Sequence, residues 1–246
     1  KQELAAEQLF ASLHGILRDN KELRLSGGHQ EHISFEIASV NGQIRFYVWV
    51  PKTLQSFVEG QIYSQYPTVQ IHQADEDYTE HERNHEVAYS TELTLTTDEF
   101  LPIRTFQNFE VDPLAGITGT LAKLETTGEE LWIQVLVRPI PDDWQNAADR
   151  YINSIRNGRM FSLPGFGGSM QWLIGVLGAL WQPPEQGVGQ STKIELSDRD
   201  KTRISEAEKK ATKLGYEVKI RLVYMGESQT NAKLRMQALV GTFKQF

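Results

Sequence analysis

The chain of 246 residues contains no cysteine. That excludes a disulfide framework, a thiol nucleophile and a thiolate-held zinc, and it fits a reducing compartment. Histidine is scarce, with six residues of which His85 is the last. Basic residues do not predominate. Against 25 Lys and Arg stand 32 Asp and Glu, a formal net charge of -7. Nucleic-acid-binding domains are usually basic, so direct nucleic-acid binding by the whole chain is not expected. No apolar run reaches the ~20 residues of a membrane-crossing helix. The run that comes nearest, Ser169–Trp181, has 13 residues, and Gly165, Gly167 and Gly168 stand before it. No signal-peptide pattern opens the chain. It begins at Lys1 and ends inside a helical pattern at 241–246, so it reads as a piece of a longer protein.

What is present is the composition of a folded protein, 39% hydrophobic and 10% aromatic. Lys1–Asp19 reads as an amphipathic helix with Leu9, Leu13, Ile16 and Leu17 on one side, and Gly27–Gly28 closes the loop that follows, which sets off 1–30 as an N-terminal helical segment. Two alternating segments follow, His32–Val40 and Gln43–Val50. Asn41–Gly42 joins them as a hairpin, because both residue types tolerate positive φ. The second segment should point Ile44, Phe46 and Val48 inward. A helix from Lys52 to Tyr66 ends at Pro67, and a short strand is expected at Thr68–His72. Gln73–Glu86 is acidic and reads as a solvated loop. Val87–Thr96 alternates again, and 100–106 reads as a continuation or an edge.

The most legible stretch is 112–138. Asp112 supplies an N-cap and Pro113 the first helical residue. Leu114, Ile117, Leu121 and Leu124 share one face, while Gly116 and Gly119 suggest close packing against a neighbour. Glu130–Arg138 is a strand dense in Leu, Ile, Val and Trp. From Gln43 to Arg138 the order is strand, helix, strand, strand, helix, strand. That is the split βαβ, ferredoxin-like plan, an α+β sheet with helices on one face. The expected division is an N-terminal helix at 1–30 and a ferredoxin-like domain at 31–157. A Gly/Pro-rich linker with an apolar helix follows at 158–191, then a second α/β unit at 192–246. In that unit Ser197 caps a charged helix, Gly215 ends it, and Tyr216–Met225 is a strand.

Three segments carry candidate chemistry. His81, Glu82 and His85 match H-E-x-x-H, the zinc-hydrolase pattern with two ligands on one helical turn and a Glu that activates water. Their flanks, DEDYTE and EVAYST, are acidic or strand-like rather than helical, and no later His can serve as third ligand. The context favours an acidic loop, so no metal site is assigned. Gly187–Thr192 resembles the end of a phosphate-binding loop, but Pro184 and Gln190 stand where Gly and Lys are needed. The apolar run, with Trp172, Leu173, Leu177 and Trp181, reads as a core helix, an interfacial helix at a membrane surface, or a partner-docking segment. No catalytic or cofactor-binding residue is assigned.

Three stretches carry a resemblance: ISFEIASVNGQIRFYVWVPKTLQSFVEGQIYSQYPTVQI, DPLAGITGTLAKLETTGEELWIQVLVRP, and the closing KIRLVYMG and GTFKQF. They resemble the N-terminal region of membrane-anchored bacterial ATP-binding proteins related to conjugation and type IV secretion motors. The resemblance spans most of 4–139 and 216–246. It implies a non-catalytic accessory or assembly domain at the cytoplasmic face of the bacterial membrane. A membrane segment would precede it and a P-loop motor would follow. ATP and magnesium would bind in that downstream domain, which becomes the first expected partner. A further copy of the chain and the membrane surface are the others. The alternatives are a zinc-dependent hydrolase on His81, Glu82 and His85, and a peripheral membrane or partner-binding module on 169–181.

Overall fold

The computed structural model describes residues 2–80, 84–105, 108–124, 128–156 and 196–246. These fall into two compact units. The first comprises Lys1–Glu99, Ile103–Asp142 and Leu214–Phe246, and the second Phe100–Pro102 and Asp143–Lys213.

The first unit opens with helix α1 (Gln2–Leu13) and helix α2 (Asn20–Leu25). Asp19 caps α2 by accepting from Lys21 and Glu22 amides, and Glu22 answers with a bond to the Asp19 amide. Strands β1 (Ile33–Val40) and β2 (Gln43–Trp49) form the expected hairpin, with Asn41 at φ 51° and Gly42 at φ 71°. Helix α3 (Gln55–Gln65), strand β3 (Val87–Leu93), helix α4 (Pro113–Ala122) and strand β4 (Glu130–Ile140) follow. Asp112 caps α4 as its sequence requires, accepting from the Leu114 amide at 2.9 Å. Strand β5 (Gly215–Gly226) and helix α7 (Gln229–Phe243) close the unit, and Ser228 caps α7. The second unit holds helix α5 (Gln145–Arg156) and helix α6 (Asp198–Ala211), packed through Ile152, Ile204 and Ala207. Arg156 pairs with Glu208 across them at 2.5 Å.

All five strands form one antiparallel sheet in the order β2-β1-β4-β5-β3. Side chains alternate across a strand, so each face has its own set. Ile33, Ile37, Ile133, Val137, Leu222 and Tyr224 point to the helical face. There α1 supplies Leu9 and Leu13, α3 Val58, α4 Ile117 and Leu121, and α7 Met236 and Leu239. The mixed α+β plan with helices on one face is thus present.

Other expectations differ. Thr68–His72 forms no strand. The chain after Pro67 turns and runs on without regular structure, and β2 and β3 lie at opposite edges of the sheet. The expected second α/β unit at 192–246 is divided, because β5 lies between β4 and β3 as an interior strand of the first unit, while α6 belongs to the second. The boundary expected at 157 comes earlier, at Asp142, and the helix at 1–30 is part of the sheet's core rather than a separate segment. Residues 101–105 are irregular rather than an edge strand. Phe46 and Val48 face the helical side but stay exposed, since β2 is an edge. Gly116 does not serve a tight contact: an added Cβ would sit 3.7 Å from Thr242, an ordinary separation, and one on Gly119 would meet nothing within 4 Å. The expected linker at 158–191 lies outside the described residues. No helix among the described residues is long and apolar enough to cross a membrane.

Candidate functional site

The opposite face of the sheet packs against a loop rather than a helix among the described residues. Along β1 it presents Ser34, Glu36 and Ala38, along β4 Trp132, Gln134 and Leu136, and along β5 Arg221 and Val223. The acidic loop before β3 crosses this face and anchors there by one aromatic side chain. Asp77 shapes the turn, accepting from the Thr79 amide at 2.8 Å and the Thr79 hydroxyl at 2.7 Å. The turn sets Tyr78 down onto the sheet, where it is 6% exposed. Its ring stacks on Tyr47 with centroids 4.8 Å apart and meets Trp132 edge-on at 5.0 Å. Ala38, Val40, Trp132 and Val223 complete this small apolar cluster.

Beside Tyr78 lies a cleft of about 590 Å³, within the usual range for a ligand site. Its floor is polar although buried. The Tyr78 hydroxyl donates to Glu36 Oε2 and accepts from Gln134 Nε2 at 3.0 Å. Gln134 Nε2 also lies 3.5 Å from Glu36 Oε2. Burial pushes the Tyr78 phenol well above its ordinary range, and the hydrogen bond and charge of Glu36 add to the rise. The phenol therefore stays protonated as a donor. Ser34, on the same face as Glu36, is 3% exposed, and its Oγ has no hydrogen-bond partner. At the rim Trp49 stacks on His32 at 4.9 Å. Burial lowers the basicity of His32, and the charges of His29 and Arg138 lower it further. Arg221 lines the far side, its Nε 3.9 Å from Glu92 Oε1.

The arrangement can bind. It holds hydrogen-bond acceptors at the floor, aromatic ring faces at the wall and carboxylates at the rim. No nucleophile–base pair, metal cluster or phosphate cradle is formed within it by the described residues.

Of the sequence candidates, His85 lies in the irregular run before β3, with Nε2 3.7 Å from Glu130 Oε1. Glu130 Oε2 in turn accepts from Trp132 Nε1 at 3.1 Å. His81 and Glu82 lie outside the described residues, as do Trp172, Leu173, Leu177 and Trp181 and the loop 187–192. Among the described residues no group of three or more His, Asp or Glu could hold a metal ion. Trp132 is a buried sheet residue, and Arg138 forms an exposed ion pair with Glu217. Sequence reasoning missed the cleft. Gln73–Glu86 read as solvated, and the only signal against that reading was a lone tyrosine within DEDYTE.

The second buried polar group lies at the other end of β4. Glu129, 5% exposed, accepts from the Tyr224 hydroxyl at 2.6 Å and from Arg235 Nε at 3.1 Å. It ties α7 to the sheet and reads as architecture.

A family model described as Domain of unknown function (DUF8128) matches residues 2–246. No curated protein and no solved structure matches the chain.

Proposed function

We propose that this chain, which belongs to the DUF8128 family, is a non-catalytic assembly module of a membrane-anchored, ATP-driven translocase of the conjugation or type IV secretion kind. It works by binding. One observation carries the binding half of the proposal: a polar, aromatic-walled cleft on the face of the sheet opposite the helices. The resemblance of 33–71, 112–139, 219–226 and 241–246 carries the other half. The module works at the cytoplasmic face of the bacterial membrane. ATP and magnesium bind in a motor domain beyond Phe246, its first partner.

We read the sheet as ferredoxin-like, with its unit assembled differently from the sequence expectation. Strands β3 and β4 run the same way, α4 joins them, and β5 lies between them. With α7 following β5, the segment β3–α4–β4–β5–α7 has the order of a split βαβ motif.

The gene tests the motor half directly. A G-x-x-x-x-G-K-[ST] loop encoded downstream of the Phe246 codon is the expected result. A reading frame that stops near that codon, with no such loop, refutes it.

A further inference from the structure

We infer that the cleft beside Tyr78 binds an arginine side chain presented by a partner protein. This rests on reading that face as a binding surface and is independent of which motor the module serves.

Two open acceptors on the floor have unused capacity. Glu36 takes its hydrogen bonds from Tyr78 and Gln134 on Oε2 alone. Its Oε1 receives none from the described residues, and it is not among the side-chain atoms sealed from solvent without a partner. Gln134 donates through Nε2, and its carbonyl likewise receives nothing. Ser34 Oγ, on the same face, is sealed and takes no part. The two open acceptors are neighbours, because Gln134 sits directly opposite Glu36 in the β1–β4 register. A ligand that donates several N–H groups from one plane would satisfy both together.

The sign of charge agrees. Among the described residues Glu36 and Asp77 line the cleft against one guanidinium, Arg221, which already faces Glu92. The field in the cleft therefore favours a cation. The walls narrow the choice further. Tyr47 and Trp49 line the cleft, each with one ring face already stacked, on Tyr78 and on His32, and a cation is drawn to the other face. Guanidinium is planar, weakly hydrated, stacks on rings and carries five donors in a fixed fork. Lysine brings a strongly hydrated point charge with three donors, which matches neither the stacking wall nor the row of acceptors. The volume of about 590 Å³ also leaves space for residues flanking the arginine in an extended segment.

The test titrates the full chain with acetyl-Gly-Arg-Gly amide and with the same peptide carrying citrulline, lysine, glutamate or phenylalanine at the centre. Binding is read from the indole N–H resonances of Trp49 and Trp132. Citrulline keeps the shape of arginine and loses the charge. The arginine peptide should move both resonances and bind about tenfold or more tighter than the citrulline peptide, with lysine between them. Glu36→Gln should weaken the arginine peptide by a similar factor. The peptide comparison on the unaltered protein decides the matter even if that variant does not fold. Equal affinity for arginine and citrulline overturns the inference, as does an arginine peptide that leaves both resonances unmoved. If the glutamate or phenylalanine peptide moves them instead, arginine is wrong and the binding surface stands. If no peptide moves them, both readings fall.

Discussion

Replacing Arg235 by Met tests the energetics of the unit most sharply. The side chain keeps much of its length and loses its charge. Arg235 reaches Glu129 through Nε at 3.1 Å and Nη2 at 3.0 Å, and Glu129 is only 5% exposed. Breaking a buried ion pair by removing one partner costs about 3–5 kcal/mol, because the remaining charge stays desolvated. The Arg235 side chain is itself 24% exposed, so water softens the loss, and about 2–3 kcal/mol is expected. Urea unfolding followed by near-ultraviolet circular dichroism measures it. Adding Glu129→Gln to the variant removes the stranded charge and should recover part of the loss. A deficit under ~0.5 kcal/mol at neutral pH, or no recovery on adding Glu129→Gln, would refute the argument.

Gly226→Ala should destabilise by about 1–3 kcal/mol in the same melts, an overpacking cost. The new Cβ would lie 2.7 Å from Tyr224 Cζ, on a ring that is fully buried and cannot swing away. Tyr78, Tyr216 and Tyr224 all have phenols held above the ordinary range, first by burial. Their contribution is complete below the unfolded value of about 10 and is lost as pH rises through the folded values. Phenolate absorbance should therefore show three of the eight tyrosines titrating only with alkaline unfolding. Trp132→Ala should cost about 3–5 kcal/mol, as expected of a buried aromatic. Trp49→Ala, at a site 46% exposed, should change stability by less than ~1 kcal/mol, and equal costs for the two would contradict the burial of Trp132 on an interior strand and the exposure of Trp49 on the edge.

Local chemistry was legible in the sequence. Asn41–Gly42, the Asp112 cap and the Ser197 cap each act within a few residues, and each forms as its chemistry requires. The alternation expected over His32–Val40 is present for the same reason, with Ile33, Phe35 and Ile37 on the helical face of β1. Pairing was not legible, because partners are chosen across long stretches of chain. Tyr216–Met225 reads clearly as a strand, but nothing in it states that it enters between β4 and β3. Alternation in Ile44, Phe46 and Val48 shows which way they point and not whether the strand is central. At the β2 edge, Phe46 is 67% exposed although it points toward the helices.

The cleft escaped notice for a subtler reason. On an antiparallel sheet the polar half of an alternating strand is ordinarily its solvent face. Ser34, Glu36 and Gln134 fit that rule, so their identities carry no warning. Their meaning changes only when Tyr78 arrives from a loop with no period of its own and lies across them. A water-facing strip becomes the floor of a cleft, in which Ser34 Oγ is sealed without a partner. The same pattern of residues therefore suits either an open surface or a cleft under a loop. The choice rests on one tyrosine placed by the Asp77 turn, which the spacing of neither strand reveals.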